Sequence, residues 1–167
     1  MKKTRIISLA LALLLCLALL CACGGGDSEY ADNVAVSSIA DRVDEATGKD
    51  DGSMVSVDES YIQGSMKMDT SSFSEYIVKI NAYGANIDEY GIFKGSNEEQ
   101  VGQIEEQVEA YLQMRNDTWM TEYMPEERPK MEKASFVTYG NYVMYAIFDD
   151  DIKQTAFDTL KSCLTEG

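Results

Sequence analysis

Two short reversals constrain the fold of this chain more than any other feature. The stretches Tyr76 to Tyr83 and Ile87 to Lys94 are rich in β-branched and aromatic residues, and Gly84-Ala85-Asn86 lies between them. The stretches Ala134 to Tyr139 and Tyr142 to Phe148 repeat that composition around Gly140-Asn141, a dipeptide suited to a two-residue turn with positive φ at both positions. Each pair reads as a β-hairpin, and each is followed by apolar residues at helical spacing. After the first hairpin, Ser96-Asn97-Glu98-Glu99 has the form of a capping box. Val101, Ile104, Val108, Tyr111, Leu112, Arg115 and Trp119 then share one face of a helix expected to run to about Tyr123, ahead of Pro125. After the second, Asp149-Asp150-Asp151 opens a helix whose apolar side carries Ile152, Ala156, Phe157, Leu160, Cys163 and Leu164. A strand-strand-helix unit occurring twice predicts an α+β fold. The expected form is a two-layer sandwich, with a four-stranded antiparallel sheet and helices packed on one face.

Upstream, Val36, Ile39, Ala40, Val43 and Ala46 predict an N-terminal helix over Val34 to Thr47, with Gly48 as its stop. Met54 to Met68 supports only a short helix around Asp58 to Gln63, and Asp69 to Ser72 reads as a loop or cap.

The first 33 residues have a different character. Lys2, Lys3 and Arg5 precede a nearly unbroken apolar run from Ile6 to Leu20, and Leu20-Cys21-Ala22-Cys23-Gly24 follows. A basic segment, an apolar segment shorter than the roughly 20 residues of a spanning helix, and a small-residue site describe a secretory signal peptide. With Leu20 at −3, Ala22 at −1 and Cys23 at +1, the site is of the lipoprotein kind. The expected organisation is therefore a signal peptide over 1–22, lipidated Cys23 with a flexible spacer over 23–33, and one α+β domain over 34–167. Cleavage would fall between Ala22 and Cys23, and a diacylglyceryl group on the Cys23 thiol would hold the chain to a membrane. The first 22 residues contain none of the 29 acidic residues, so the remainder is more acidic than the −15 of the whole chain. Such a surface repels nucleic acid and anionic lipid head groups.

The chain has no histidine, which excludes Ser-His-Asp and Cys-His catalysis and the histidine-bearing zinc sites. Cys16 and Cys21 fall within the signal peptide, leaving Cys163 as the one thiol beyond Cys23. Its place on an apolar stripe is that of a core residue. No phosphate-binding glycine pattern occurs, and no cofactor is expected. Asp149 to Asp151 have the composition of a calcium site, but acids at a helix start also oppose the helix dipole. Glu89 shares a strand face with Ile87 and Phe93, which marks it as a candidate binding acid. Tyr90 and Tyr142, among the aromatic residues of the hairpins, are candidate binding residues for a sugar or peptide. Trp119, Tyr123 and Met124 are a candidate exposed patch.

The run Glu89-Tyr90-Gly91-Ile92-Phe93-Lys94, the long helix bearing Arg115, Tyr123-Met124-Pro125 and Gly140-Asn141-Tyr142-Val143 occur in an order that resembles the lipoproteins grouped as domain-of-unknown-function family 4358. The resemblance runs from about Val36 to Phe157. It implies a cell-envelope lipoprotein, found largely in Gram-positive, clostridia-type bacteria, and supplies no catalytic residues. The expected function is a non-catalytic binding or interaction module, lipid-anchored on the extracytoplasmic face of the cell membrane, with an envelope protein or ligand as partner. The alternatives are a lipoprotein that binds a small ligand or cation, and a carboxylate-based hydrolase.

Overall fold

The computed structural model describes residues 29–120 and 122–165. The expectations for the signal peptide, for Ala22 and for lipidated Cys23 lie outside the described residues. Helix α1 (Val36–Thr47) ends at Gly48, whose φ of +67° lets its N–H reach the Glu45 carbonyl while the Lys49 N–H reaches that of Asp44. This paired closure is favoured by a glycine in the left-handed region. Strand β1 (Met54–Ser56) follows. Helix α2 (Glu59–Gly64) is capped by the Asp58 carboxylate, and a single 3₁₀ turn (Thr70–Ser72) by that of Asp69. Strands β2 (Glu75–Asn81) and β3 (Glu89–Lys94) make the first hairpin, and the twenty-residue helix α3 (Glu98–Asp117) crosses back. The short helix α4 (Arg128–Glu132) precedes the hairpin of β4 (Ser135–Tyr139) and β5 (Tyr142–Ile147), and helix α5 (Asp150–Thr165) ends the described chain.

The fold is mixed α and β, with one antiparallel sheet in the order β1-β2-β3-β5-β4. The expected four strands become five, because Met54–Ser56 pairs with residues 79–81 of β2 (Val55 opposite Ile80). Three residues carry too short an alternation to declare a strand, and the pairing that makes them one is long-range. The layers differ as well. Helices α1 and α5 cover one face, over Tyr90, Ile92, Tyr142, Met144 and Ala146. Residues of α2, α3 and α4 cover the other, over Val78, Phe93, Val143, Tyr145 and Ile147. The result is three layers instead of two. A helical stripe states that a face is buried but not against which side of the sheet.

Smaller differences have local causes. The first cap of α3 is Asn97, which accepts from the Gln100 N–H, while the Gln100 side chain accepts from the Ser96 N–H. The reciprocal logic of a capping box holds one residue later than expected. The helix stops at Asp117, well short of Tyr123, where Thr118 donates its hydroxyl back to the Met114 carbonyl at 2.7 Å. The expected loop over Met124 to Lys130 contains the start of α4, which interrupts the strict strand-strand-helix repeat. At the Gly140-Asn141 turn only Gly140 has positive φ, the pattern of a type II′ reversal. No helix among the described residues is long and apolar enough to cross a membrane.

The ladders define two poles. At one, Glu75, Lys94 and Tyr142 lie together, and the chain enters the fold beside them. Tyr30 packs on Tyr139 with ring centroids 5.3 Å apart, the Ala31 N–H donates to the Leu164 carbonyl, and the Val36 N–H donates to Glu75. At the opposite pole lie Ile80, Glu89 and Ile147, with the connections around Lys49, Tyr83 and Tyr123.

Candidate functional site

Buried acids meet at the second pole around the start of β3: Asp44, Asp88 and Glu89, with Glu127 beside Asp88. Adjacent residues of a strand point to opposite faces, so Glu89 and Tyr90 enter different layers.

Glu89 points toward α3 and is 3% exposed. Its Oε1 accepts the hydroxyl of Tyr145, from β5, at 2.7 Å, and that of Tyr111, from α3. Its Oε2 accepts Nη1 of Arg115 at 2.6 Å, and the same nitrogen donates to the Tyr111 oxygen at 2.7 Å. Tyr111 and Arg115 are four residues apart on one helix, which places both on the side facing the strand. Burial, reinforced by the Glu89 charge, pushes the Tyr111 and Tyr145 hydroxyls well above their ordinary range. Burial opposes the Arg115 cation, but the Glu89 carboxylate and Tyr111 outweigh it, and Arg115 holds its proton more firmly than usual. A buried carboxylate stays tolerable where its lone pairs are filled by charged and neutral donors, as here. Arg115 keeps some exposure on a small cavity of about 170 Å³, whose walls include Tyr61, Ile80, Asn86 and Ile87.

Gly91 explains how Tyr145 reaches Glu89. The two residues are cross-strand partners, and a Cβ on Gly91 would collide with the Tyr145 ring. The missing side chain is what lets that ring lie over the strand, stacked 6.1 Å from Phe93 and edge-on to Tyr111 at 5.6 Å.

On the other face, Tyr90 is fully buried and donates to Asp44 of α1 at 2.7 Å. Asp44 also receives Lys79 of β2 at 2.5 Å. Burial and the Asp44 hydrogen bond hold the Tyr90 hydroxyl far above its ordinary value. Just before the strand, Asp88 pairs with Lys49 at 2.5 Å and with Lys130 of α4 at 2.9 Å, and Lys130 also holds Glu127 at 3.0 Å. Burial works against the Asp88 anion, yet the two lysines prevail and keep its carboxyl below the ordinary 3.8.

The structure therefore does not gather Glu89, Tyr90 and Tyr142 into one cleft. Glu89 lines the cavity of about 170 Å³. Tyr142 is buried on the α1 face near the opposite pole, where its hydroxyl donates to the Val34 carbonyl at 2.6 Å and Lys94 lies 5.3 Å from its ring centre. Cys163 is buried on the stripe of α5. Asp150 pairs with Lys133 at 2.6 Å and with Lys153 at 3.1 Å. Arg115 and Tyr111, absent from the sequence-based candidates as site residues, complete the Glu89 cluster. Their four-residue spacing was visible, but the strand they would meet was not.

Above these clusters the pole carries exposed apolar side chains. Among the described residues four large hydrophobic side chains are exposed, and three of them, Tyr83 (69%), Met120 (66%) and Tyr123 (58%), stand on the connections here. The fourth, Val55, pairs with Ile80 beside the same pole. The connections are tied to one another: the Ile87 N–H donates to Glu127 at 3.1 Å, and the Ala82 N–H to the Ser53 carbonyl at 2.9 Å. Trp119 is half-buried, packed against the α3 layer, so it is not part of the exposed set.

Residues 47–148 match the model of the family described as Domain of unknown function (DUF4358), a segment that spans α1's last residue to the end of β5 and contains all three acidic clusters except Asp44. No curated protein and no solved structure shows significant similarity to the chain. On the strength of the family match, the chain belongs to the DUF4358 family.

Proposed function

Starting from membership of the DUF4358 family, we propose that the protein is a lipid-anchored, extracytoplasmic binding module of the cell envelope, held by Cys23 and presenting the pole with Tyr83, Met120 and Tyr123 to a partner. The observation that carries this reading is the separation of the two poles. The chain enters at the pole of Tyr30 and Gly140, and the exposed apolar side chains lie at the other. From Cys23 to Tyr30 the chain reaches at most about 25 Å, so the entry pole stays near the bilayer and the apolar pole faces away from it. Exposed aromatic and methionine side chains are favoured anchors of protein interfaces.

The acids beneath that pole support a binding role over a hydrolytic one. A hydrolase needs carboxyl groups free to exchange protons with substrate. Here Glu89 is filled by three donors and Asp88 is held ionised between two lysines. Their arrangement braces the connections on which the exposed side chains stand.

Two measurements test the reading. Intact mass of membrane-extracted protein should show a chain beginning at Cys23 with acyl mass added; a different start or an unmodified Cys23 contradicts the anchor. In cells, a photoreactive residue at Tyr83 or Tyr123 should give the same discrete protein adduct, and one at Thr165, beside the entry pole, should not. Equal labelling from all three positions removes the case for a binding pole.

A further inference from the structure

The two edges of the sheet are finished differently. An exposed edge is a template for another strand, and proteins blunt it with short strands, charges, proline or bulges. On one side β1 is only three residues long and follows Asp50 and Asp51. On the other, β4 reads Ser-Phe-Val-Thr-Tyr, five residues without charge or proline, paired to β5 in unbroken register. The Gly95 N–H donates to the Asn141 carbonyl at 2.9 Å, which fixes the alternation along β5. Odd-numbered residues of β5 bond β3, and Tyr142, Met144 and Ala146 bond Tyr139, Val137 and Ser135 of β4. The N–H and C=O groups of Phe136 and Thr138 therefore point out of the sheet.

Beside this edge, under the α3 face, lies a cavity of about 340 Å³ lined by Leu112, Met131 and Phe136 and rimmed by Glu109, Glu132 and Asn116. Asn116 lines it, and its Oδ1 is buried without a hydrogen-bond partner, as is the Nε1 of Trp119 three residues on. An orphaned buried acceptor is unfavourable unless something supplies a donor. Glu132 holds Arg128 in an exposed pair, Glu105 of α3 accepts the Thr138 hydroxyl beside the edge, and α3 carries no lysine or arginine before Arg115.

We propose that the β4 edge binds an extended peptide segment of a partner protein, which adds as a sixth strand to Phe136 and Thr138 and places a lysine or arginine side chain in the cavity of Glu109, Glu132 and Asn116. Backbone groups supply the docking and the cavity selects alternate side chains, the usual division in strand addition. Charge chooses the occupant. The rim offers oxygen acceptors to a cation, whereas a second copy of this chain would bring the same acids against one another. Ser135 of β4 pairs with Ala146, so the cavity adjoins the pole already assigned to binding. The inference rests on that reading and names the chemistry of its partner.

The probe is a fluorescent heptapeptide alternating lysine with valine, titrated against the full chain in detergent by anisotropy. The expected result is saturable binding that weakens about tenfold or more when glutamate replaces lysine, and likewise in Glu109→Lys and Thr138→Pro chains. Thr138 presents its N–H outward, so proline removes a docking donor without breaking the β4–β5 ladder. Should Thr138→Pro not fold, amide exchange on the unmodified chain replaces it: Phe136 and Thr138 amides should gain protection with the lysine peptide. Absence of binding, equal binding of lysine and glutamate peptides, or a β4-mediated dimer of this chain overturns the inference. Retention of the in-cell adduct by Tyr83 and Tyr123 in a chain that binds no peptide would sink the edge proposal alone and leave the binding pole standing.

Discussion

The two sides of β3 solve the same problem with the parts exchanged. Toward α3, the strand supplies the acid, Glu89, and helix α3 supplies the tyrosine and the cation, with a second tyrosine from β5. Toward α1, the strand supplies the tyrosine, Tyr90, the helix supplies the acid, Asp44, and β2 supplies Lys79. Both sets join a helix to the sheet near one pole. They differ in depth and outlook. The Glu89 side chain is 3% exposed and its cation opens on a cavity, while Asp44 and Lys79 are each near one-tenth exposed. The Glu89 set is the costlier one to disturb, because its acid is the more deeply buried of the two. The Asp44 carboxylate is about one-tenth exposed.

That contrast can be broken most directly at its acids. Glu89→Ala should destabilise the fold by about 3–5 kcal/mol, the usual cost of removing one partner of a buried pair, read from denaturant unfolding; Asp44→Ala should cost clearly less. Equal losses would dissolve the distinction. The same asymmetry should appear in alkali. Tyr90, Tyr111 and Tyr145 all have folded-state pKa values above the ordinary 10.0. Their contribution is complete below pH 10 and is lost as pH rises through the folded values, because only the unfolded chain ionises readily there. A Tyr111→Phe/Tyr145→Phe chain should flatten the stability loss above pH 10 more than Tyr90→Phe does. At the acid end the sign reverses: Asp88, held below 3.8, contributes above that value and loses its contribution as pH falls through its folded value.

Smaller effects sharpen the picture. Gly91→Ala should cost about 1–3 kcal/mol, as overpacking does, since the Tyr145 ring must leave the strand and weaken its bond to Glu89. Near-ultraviolet dichroism, sensitive to tyrosine packing, should change with it. Tyr90→Phe should cost about 1 kcal/mol, the net worth of a typical hydrogen bond, since Lys79 still holds Asp44.

Much of this arrangement was legible in the sequence. Gly48 stops α1 where a glycine was expected to stop a helix, both hairpins form, and period-two spacing places Glu89 on the face of Phe93. The third layer was legible too, but in a signal of another kind. Tyr142 to Phe148 is apolar at every position, the mark of a strand covered on both faces, and every residue of β5 is indeed buried. What could not be read was pairing between distant segments. Val55 finds Ile80, Arg115 finds Glu89, and Asp44 finds Tyr90 only after the layers are assembled, so a three-residue strand and the partners of the buried acids left no local trace.

On the proposed reading, one pole binds a partner and the buried charges beneath it hold that pole in place. A double substitution, Tyr83→Ser with Tyr123→Ser, separates the two roles. Both side chains are exposed, so the unfolding free energy should move by no more than about 0.5 kcal/mol, while the discrete in-cell adduct, captured from a photoreactive residue at Met120, should disappear. An adduct that survives undiminished in a stably folded double variant would contradict the claim.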